Sequence, residues 1–172
     1  MVGVGEGGEQ SVLARVSIVN FHGHIILDQY VLPRERVTDY RTHVSGITPK
    51  LLKEHGKEFT VVQRQVADIL KNRIIVGHAL KNDLNALLLT HPPHLIRDTA
   101  TYKPLKNATT NKPIKLKTLV MTHLSLEIQE GEHSSVDDAR AVMELFKKYK
   151  SAWEQTLVKF EFRKVKETSQ DQ

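Results

Sequence analysis

The sequence predicts an α/β fold in which helices flank a mixed β-sheet, and three observations predict it. Two segments rich in β-branched residues lie close together near the start of the chain, on either side of a short turn that contains glycine. Short apolar segments then alternate with stretches that have the periodicity of amphipathic helices, as in layered α/β proteins. Last comes a long stretch with an apolar stripe, which must pack against a core.

The predicted hairpin has its strands at residues 12–20 and 25–32, and two helices follow at 48–54 and 59–72. A strand at 73–76, a helix at 79–89 and a strand at 94–97 come next. A basic loop at 103–112 and two further helices at 115–124 and 134–157 complete the predicted elements. The hairpin turn contains Gly23, which a tight turn favours. Thr48 and Pro49 are typical of an N-cap followed by the first residue of a helix, and Gly56 lies just beyond its end. The helix that starts at Phe59 has apolar residues at spacings of three and four.

Breakers separate the later elements. Gly77 ends the first of the two short strands, and Pro104 and Pro113 indicate a loop rather than a helix around the lysines. The last helix begins at Ser134 or Ser135, and its apolar stripe supports a single long element.

The chain length of 172 residues, with 40% hydrophobic and 26% charged residues, fits one compact domain. We expect this domain to cover residues 1–157. Residues 158–172 are polar and mixed in charge, so we expect a tail that frays or stays disordered. The first strand, Met1 to Val4, is short, as if its upstream half were truncated.

Composition excludes several function classes. The chain contains no cysteine, which excludes disulfide scaffolds, thiolate zinc sites and cysteine nucleophiles. It contains no run of eighteen apolar residues and no secretion signal, so we expect a soluble intracellular protein without a membrane function. The net charge of +5 equals the five lysines between Thr99 and Leu126, a segment without acidic residues. This basic segment favours a polyanionic partner such as nucleic acid, although a solvated loop remains an equal alternative.

Asp83 is the informative residue in the middle of the chain. Helical spacing places it on the same face as Leu80, Leu84 and Leu87, so its carboxylate is predicted to project from the apolar side. A buried carboxylate needs an ion pair, backbone donors or a metal ion. The residues alone leave a structural pair and a metal-binding or catalytic role equally open.

A second cluster lies at the start of the long helix. Spacing predicts that Asp138 points inward and that Asp137 points outward, where it can form a capping box with Ser134. Ser135 can cap toward Asp138 in the same way, so a structural role for Asp138 remains open. His133 precedes the helix, and an imidazole there suits proton abstraction near neutral pH.

Two inward carboxylates with a histidine suggest metal-assisted hydrolysis of phosphate esters. Hard oxygen ligands suit Mg²⁺ or Mn²⁺, and two such ions can stabilise both the attacking and the leaving oxygen. Two ions need more than two carboxylates, and the sequence offers no obvious third. Gly3, Gly5 and Gly8 satisfy a dinucleotide-binding pattern, but no helix is predicted after them, so we interpret them as a turn between strands.

The chain resembles a known family, the DEDDh 3′–5′ exonucleases with a ribonuclease H-like fold, and within it the RNA exonuclease 4 group. The matching segments cover most of the chain: Met1 to Gly5, Leu13 to Asn20, Asp39 to Ile47, Val76 to Leu84, Ile96 to Thr99 and His133 to Phe146. The resemblance implies a ribonuclease H-like mixed β-sheet flanked by helices, with its first strand truncated.

The resemblance also implies roles for individual residues. Asp83 and Asp138 would bind metal, with two Mg²⁺ or Mn²⁺ ions in the complete site, and His133 would activate the attacking water. Met1, Gly3 and Arg41 resemble the family's contacts to the terminal nucleotide, although Arg41 has a surface ion pair with Asp39 as its alternative. Asp98 receives no chemical role and is interpreted as structural.

One motif of the family lies outside the sequence. In the family, an Asp-Cys-Glu triplet directly precedes Met-Val-Gly, so we expect the first acidic motif upstream of Met1 and a truncated form of an active enzyme. The implied function is a metal-dependent 3′–5′ exoribonuclease acting on RNA ends in ribosomal RNA processing, located in the nucleus (nucleolus). A catalytically inactive RNA-binding module of the same fold is the alternative, and single-stranded DNA is a second possible partner.

Overall fold

The computed structural model describes residues 1–126, 128 and 134–168, which form small β-sheets flanked by helices, so the predicted α/β class is confirmed. The strands are β1 (Val2–Val4), β2 (Gln10–Val12), β3 (Arg15–Val19), β4 (Ile25–Leu32), β5 (Val37–Asp39), β6 (Lys57–Glu58), β7 (Ile75–Gly77) and β8 (Ile96–Asp98). The α-helices are α1 (Thr42–Ser45), α2 (Pro49–His55), α3 (Phe59–Leu70), α4 (Leu80–Ala86), α5 (Leu116–Leu124) and α6 (Ser135–Thr168). Short 3₁₀ turns cover Glu6–Gly8, Pro93–Leu95 and Lys103–Leu105.

The strands pair in both directions, as a mixed sheet requires. Their orders are β2-β1-β5, β3-β4-β6 and β7-β8. Strand β1 is antiparallel to both of its neighbours, and β3 is antiparallel to β4. The pairs β4-β6 and β7-β8 are parallel. The predicted hairpin is therefore confirmed: β4 has the predicted bounds, and β3 is shorter than the predicted strand 12–20.

Local sequence signals explain where the first helices begin and end. The hydroxyl of Thr48 accepts a hydrogen bond from the N–H of Leu51 at 3.2 Å, and Gly56 follows the end of α2, as predicted. Helix α3 buries Phe59 and Val62 against Val31 of β4. This apolar contact fixes α3 beside the hairpin.

The glycine-rich segment near the start of the chain forms the predicted turn between β1 and β2. Gly8 adopts φ +71°, and a Cβ at Gly3 would lie 2.5 Å from the carbonyl oxygen of Gly8. Only glycine at position 3 permits this close approach of the two backbone segments.

Helix α6 packs against β3, β7 and α5. Its buried residues include Leu145 and Trp153, and the ring of Tyr102 stacks on Trp153 with centroids 3.9 Å apart and planes 5° apart. The sequence predicts an end near Leu157, but the backbone remains helical to Thr168. Residues 158–168 contain no glycine or proline, so no breaker ends the helix there. None of the described helices is long and apolar enough to cross a membrane.

Candidate active site

Helix α4 carries Asp83, and the carboxylate of Asp98 on strand β8 binds the start of this helix. Asp98, at the end of β8, is only 7% exposed. Its carboxylate accepts hydrogen bonds from the N–H groups of Ala79 and Leu80 at 2.8 and 3.0 Å. A third hydrogen bond comes from the N–H of Ala100 at 2.9 Å. Asp98 therefore acts as the N-cap that the sequence of α4 lacks, because Ala79 has no side-chain acceptor.

The predicted burial of Asp83 is wrong. None of the seven residues of α4 is buried, and Asp83 is exposed. The helix is short and starts from a left-handed residue, Ala79 with φ 60°, so it does not lie flat on the core. The first buried apolar residue follows its end, at Leu87. The carboxylate of Asp83 is therefore accessible to a ligand.

The electrostatic surroundings nevertheless disfavour the charged form of Asp83. Partial loss of hydration raises the pKa of Asp83, since neighbouring protein lies close to the carboxylate even though part of it contacts solvent. Of the nearby charges, the amino group of Met1 lowers this pKa and Asp98 raises it. A carboxylate with a raised pKa on an accessible surface is typical of functional sites.

The amino group of Met1 lies within electrostatic range of Arg41 and of Asp83. Burial lowers the pKa of the Met1 amino group, the charge of Arg41 lowers it further, and the charge of Asp83 raises it. The side chain of Met1 is 37% exposed. The structure thus places Met1 near Arg41 and near Asp83, two residues that are far from Met1 in the sequence.

Arg41 is held by its own chain. Its guanidinium donates hydrogen bonds to the hydroxyl of Ser11 at 2.7 Å and to the carbonyl of Gly8 at 2.8 Å. It also lies 3.5 Å from the carboxylate of Asp39, which is the predicted alternative ion pair. These contacts fasten the turn between β1 and β2. Gly3, on β1, is buried and pairs with Ser11.

Asp138 lies in the first turn of α6, which is tied to the hairpin. The hydroxyls of Ser135 and Ser17 are 2.6 Å apart, and the hydroxyl of Ser134 accepts the N–H of Asp137 at 3.3 Å. Asp138 is half-buried and Asp137 is exposed, so the predicted orientation of the two aspartates is confirmed. Helix α6 packs on β7, the strand that leads into α4. His133 lies outside the described residues.

The described residues do not by themselves fit a complete metal centre. Among them, no group of three or more histidine, aspartate and glutamate side chains lies close enough to hold a metal ion. Asp83 and Asp138 offer hard oxygen donors on two elements that both adjoin β7, but this donor set is smaller than a Mg²⁺ or Mn²⁺ site needs.

The structural interpretation of Asp98 is confirmed, because its carboxylate caps α4. Sequence reasoning missed one residue beside the site. His78 was not singled out, and its Nδ1 lies 2.9 Å from the hydroxyl of Thr99. Because that hydroxyl donates to the carbonyl of Gly77 at 3.0 Å, it accepts from Nδ1–H of the imidazole. Burial lowers the pKa of His78, which favours this neutral form.

One surface depression lies on the side of the hairpin and α2. It measures about 540 Å³ and is lined by residues such as Leu32, Tyr40 and Leu52. Neither Asp83 nor Asp138 lines it. We therefore base the candidate site on the chemistry around Asp83 rather than on concavity.

Comparison with known proteins places the chain among nucleases. A family model described as "Exonuclease", of the RNase T type, matches residues 1–146. The chain is 55% identical over 159 residues to RNA exonuclease 4 of Mycosarcoma maydis, which covers 91% of this chain and 42% of that protein. It is 52% identical to RNA exonuclease 4 of Saccharomyces cerevisiae, covering 89% and 53%, and 53% identical to that of Homo sapiens, covering 90% and 36%. The chain thus spans between 36% and 53% of the length of these relatives.

A solved structure shows the same architecture. The pseudoubiquitin hydrolase and RNA exonuclease module of Pan2 from Saccharomyces cerevisiae, in complex with AAGGAA RNA, has a TM-score of 0.75 and 30% sequence identity. The match covers 93% of this chain and 28% of the Pan2 chain. The likeness confirms the predicted ribonuclease H-like fold.

Proposed function

The chain belongs to the exonuclease family of the RNase T type, and from this premise we propose that it is a metal-dependent 3′–5′ exoribonuclease that releases nucleotides from RNA ends. The observation that carries the proposal is the surface position of Asp83 on a helix whose start is capped by Asp98, within the segment that matches the family. Relatives named RNA exonuclease 4 and an RNA-bound exonuclease neighbour support RNA as the substrate.

We assign the metal ligands by position. The family generally uses divalent metal ions, and Asp83 and Asp138 would supply oxygen ligands to Mg²⁺ or Mn²⁺. The described residues hold no group of three histidine, aspartate and glutamate side chains that could bind a metal ion, so further ligands would come from water, from the RNA phosphates or from residues outside the described set. The Asp-Cys-Glu triplet expected upstream of Met1 is the leading candidate.

The remaining predicted site residues would activate the attacking water and bind the terminal nucleotide. His133 would accept a proton from the attacking water, because an imidazole titrates near neutral pH. Met1, Gly3 and Arg41 would contact the terminal nucleotide. Arg41 can do so only with its remaining solvent-facing surface, since its guanidinium already binds Ser11 and Gly8.

A second candidate function has its own support. An RNA-binding module without catalytic activity would retain the fold and would not need a complete metal centre, which the described residues lack. The two functions differ in whether bound RNA is cut.

A pair of proteins distinguishes them: the chain as given, and the same chain preceded by Asp-Cys-Glu. Both are incubated with Mg²⁺ and single-stranded RNA labelled at its 5′ end, and with DNA of the same sequence. We expect the extended protein to produce a ladder that shortens from the 3′ end, and EDTA to abolish it. RNA binding by both proteins without cleavage would favour the inactive module, and no binding by either would overturn both functions.

Matched variants of the extended protein test the assigned residues. Asp138→Asn, Asp83→Asn and His133→Ala should each lower the cleavage rate at least about 100-fold, as expected for metal ligands and a general base. Asp137→Asn changes a neighbouring but exposed carboxylate and should retain the rate. Equal activity of the Asp137 and Asp138 variants would contradict the assignment.

The proposal also includes a role in ribosomal RNA processing and a location in the nucleus (nucleolus). Both rest on the family resemblance alone. A fluorescent fusion of the full-length protein that stays out of the nucleus would contradict them. Accumulation of ribosomal RNA precursors after depletion of the protein would support them.

A further inference from the structure

The positive charge of the chain is concentrated on one ordered loop. Residues 103–115, which we term the lysine loop, contain Lys103, Lys106, Lys112 and Lys115 and no acidic residue. Together with Lys117 they carry the whole net charge of +5, so the rest of the chain sums to zero. Lys103, Lys112 and Lys115 are exposed.

The lysine loop has a defined conformation. The backbone closes between Lys106 and Pro113, and the N–H of Asn107 donates to the carbonyl of Lys112 at 3.0 Å. The side-chain oxygen of Asn107 accepts the N–H groups of Thr109 and Thr110 at 3.0 and 2.8 Å. Such a turn presents the lysines in a fixed arrangement.

Two buried residues anchor the loop to the core. Leu105 is 1% exposed, and Tyr102, just before the loop, is 9% exposed and stacks on Trp153 of α6. The lysines themselves form no ion pair within the part of the chain that the structure describes, Lys117 aside. Their charge is therefore available to a ligand and is not neutralised by the protein.

The loop also follows closely on the candidate site. Lys103 is five residues beyond Asp98, the residue that caps the helix of Asp83. Since an extended chain spans at most about 3.6 Å per residue, the two Cα atoms are no more than about 18 Å apart. A stacked single strand rises about 3.4 Å per nucleotide, so about five nucleotides cover that distance.

We propose that the lysine loop binds the phosphate backbone of the RNA a few nucleotides upstream of its 3′ end, without regard to sequence. This inference rests on the proposed function, because it assumes that RNA reaches Asp83. Exposed lysines attract phosphates and release condensed counterions on binding, and they read no base edges. The loop thereby retains long RNA more strongly than short fragments.

The test compares two triple variants with the same change in net charge. The loop variant carries Lys103→Gln, Lys112→Gln and Lys115→Gln. The control variant carries Lys53→Gln, Lys57→Gln and Lys71→Gln, which are also exposed but lie on α2, on β6 and just beyond the end of α3. The full chain is titrated by fluorescence anisotropy against a labelled twelve-nucleotide RNA and a labelled trinucleotide, at several salt concentrations.

The expected result follows from the salt dependence of single-strand binding. Each lost lysine contact lowers the slope of log K against log salt by about 0.7, so three should lower it by about 2 and weaken twelve-nucleotide binding by up to roughly 100-fold at about 0.1 M salt. The control should stay within about threefold of the unmodified chain, because only screened long-range attraction changes. The trinucleotide should bind both variants alike.

Each remaining outcome rejects a different statement. If neither the unmodified chain nor the same chain preceded by Asp-Cys-Glu binds RNA at low salt, the proposed function fails. If it binds RNA but the two triple variants weaken equally, net charge alone acts and the lysine loop has no special role. If vesicles with about one-third phosphatidylserine bind the loop more tightly than RNA does, an anionic membrane surface replaces RNA as its ligand.

Discussion

Replacing Asp98 tests whether a carboxylate outside α4 holds the candidate catalytic residue in place. Asp98→Ala removes the acceptor of three backbone N–H groups, at 2.8, 3.0 and 2.9 Å. Two of these donors, Ala79 and Leu80, begin the helix that carries Asp83. Near the 7% exposed position of Asp98, water can replace the acceptor only in part.

The magnitude follows from two contributions. Loss of an N-cap costs about 0.5–2 kcal/mol, and leaving a buried donor without a partner costs about 1–3 kcal/mol. We therefore expect Asp98→Ala to lower the free energy of unfolding by about 3 kcal/mol, and the melting temperature by about 6–12 °C for a chain of this size. Asp98→Asn keeps one acceptor oxygen and should cost about half as much.

The same substitution should reach Asp83 electrostatically. The charge of Asp98 raises the pKa of Asp83, so Asp98→Asn should lower it. Carboxyl carbon chemical shifts, followed by NMR against pH, report this pKa directly. In the protein extended by Asp-Cys-Glu, RNA cleavage should decline for Asp98→Ala even at temperatures where the variant remains folded, because Asp83 is no longer held in position.

The control is Asp68→Ala, which removes an exposed carboxylate on α3 and should change the free energy of unfolding by no more than about 0.5 kcal/mol. The reasoning is refuted if Asp98→Ala melts within about 2 °C of the unmodified chain. An unchanged pKa of Asp83 in Asp98→Asn would likewise remove the electrostatic link.

Three further predictions concern pH and packing. Arg97, which is 5% exposed, donates hydrogen bonds to both carboxylate oxygens of Glu154 at 2.7 and 2.8 Å and lowers the pKa of Glu154. The pair therefore stabilises the fold at pH values above the pKa of Glu154 in the unfolded chain, about 4.3. This stabilisation is lost as the pH falls through the lower pKa of Glu154 in the folded protein. Glu154→Gln should thus cost about 2 kcal/mol in urea unfolding at pH 7 and progressively less as the pH falls below about 4.3, and a loss that does not change with pH would contradict the link. The raised pKa of Asp83 has the opposite effect on stability, because the charged form of Asp83 opposes folding as the pH rises above about 3.9. Asp83→Asn should therefore raise the free energy of unfolding by up to about 0.5 kcal/mol at pH 7 but not at pH 3. Destabilisation of the variant at pH 7 would refute this prediction. Tyr102→Ala removes the ring stacked on Trp153 and should cost about 3 kcal/mol and shift the tryptophan emission to longer wavelength, whereas an unchanged spectrum would show that the stack is absent in solution.

Elements with a local signal in the sequence were predictable. The capping hydroxyl of Thr48, the proline after it and the apolar spacing of α3 each act within one turn, so a pattern over a few residues contains the full interaction. The outward Asp137 and the inward Asp138 followed from periodicity in the same way, because α6 packs along β3 and β7. The family resemblance added residue roles that no spacing supplies.

The errors share a physical origin in contacts between distant parts of the chain. Periodicity placed Asp83 on an apolar face, but a helix of two turns need not follow the face that its leucines suggest, since its direction is set at its start. That start depends on Asp98, which is 19 residues from Ala79 in the sequence. The two short strands were also placed one or two residues too early, because the parallel pairing of β7 with β8 fixes their bounds.

The way α4 is anchored explains how the candidate site reconciles access with rigidity. None of the residues of α4 is buried, so this helix gains little from apolar packing. Asp98 compensates by binding the backbone N–H groups of Ala79 and Leu80, which every residue except proline provides. The position of Asp83 therefore depends strongly on one buried acceptor, so substitutions of the exposed α4 residues other than Asp83, such as Lys81 and Asn82, should be tolerated where substitution of Asp98 is not.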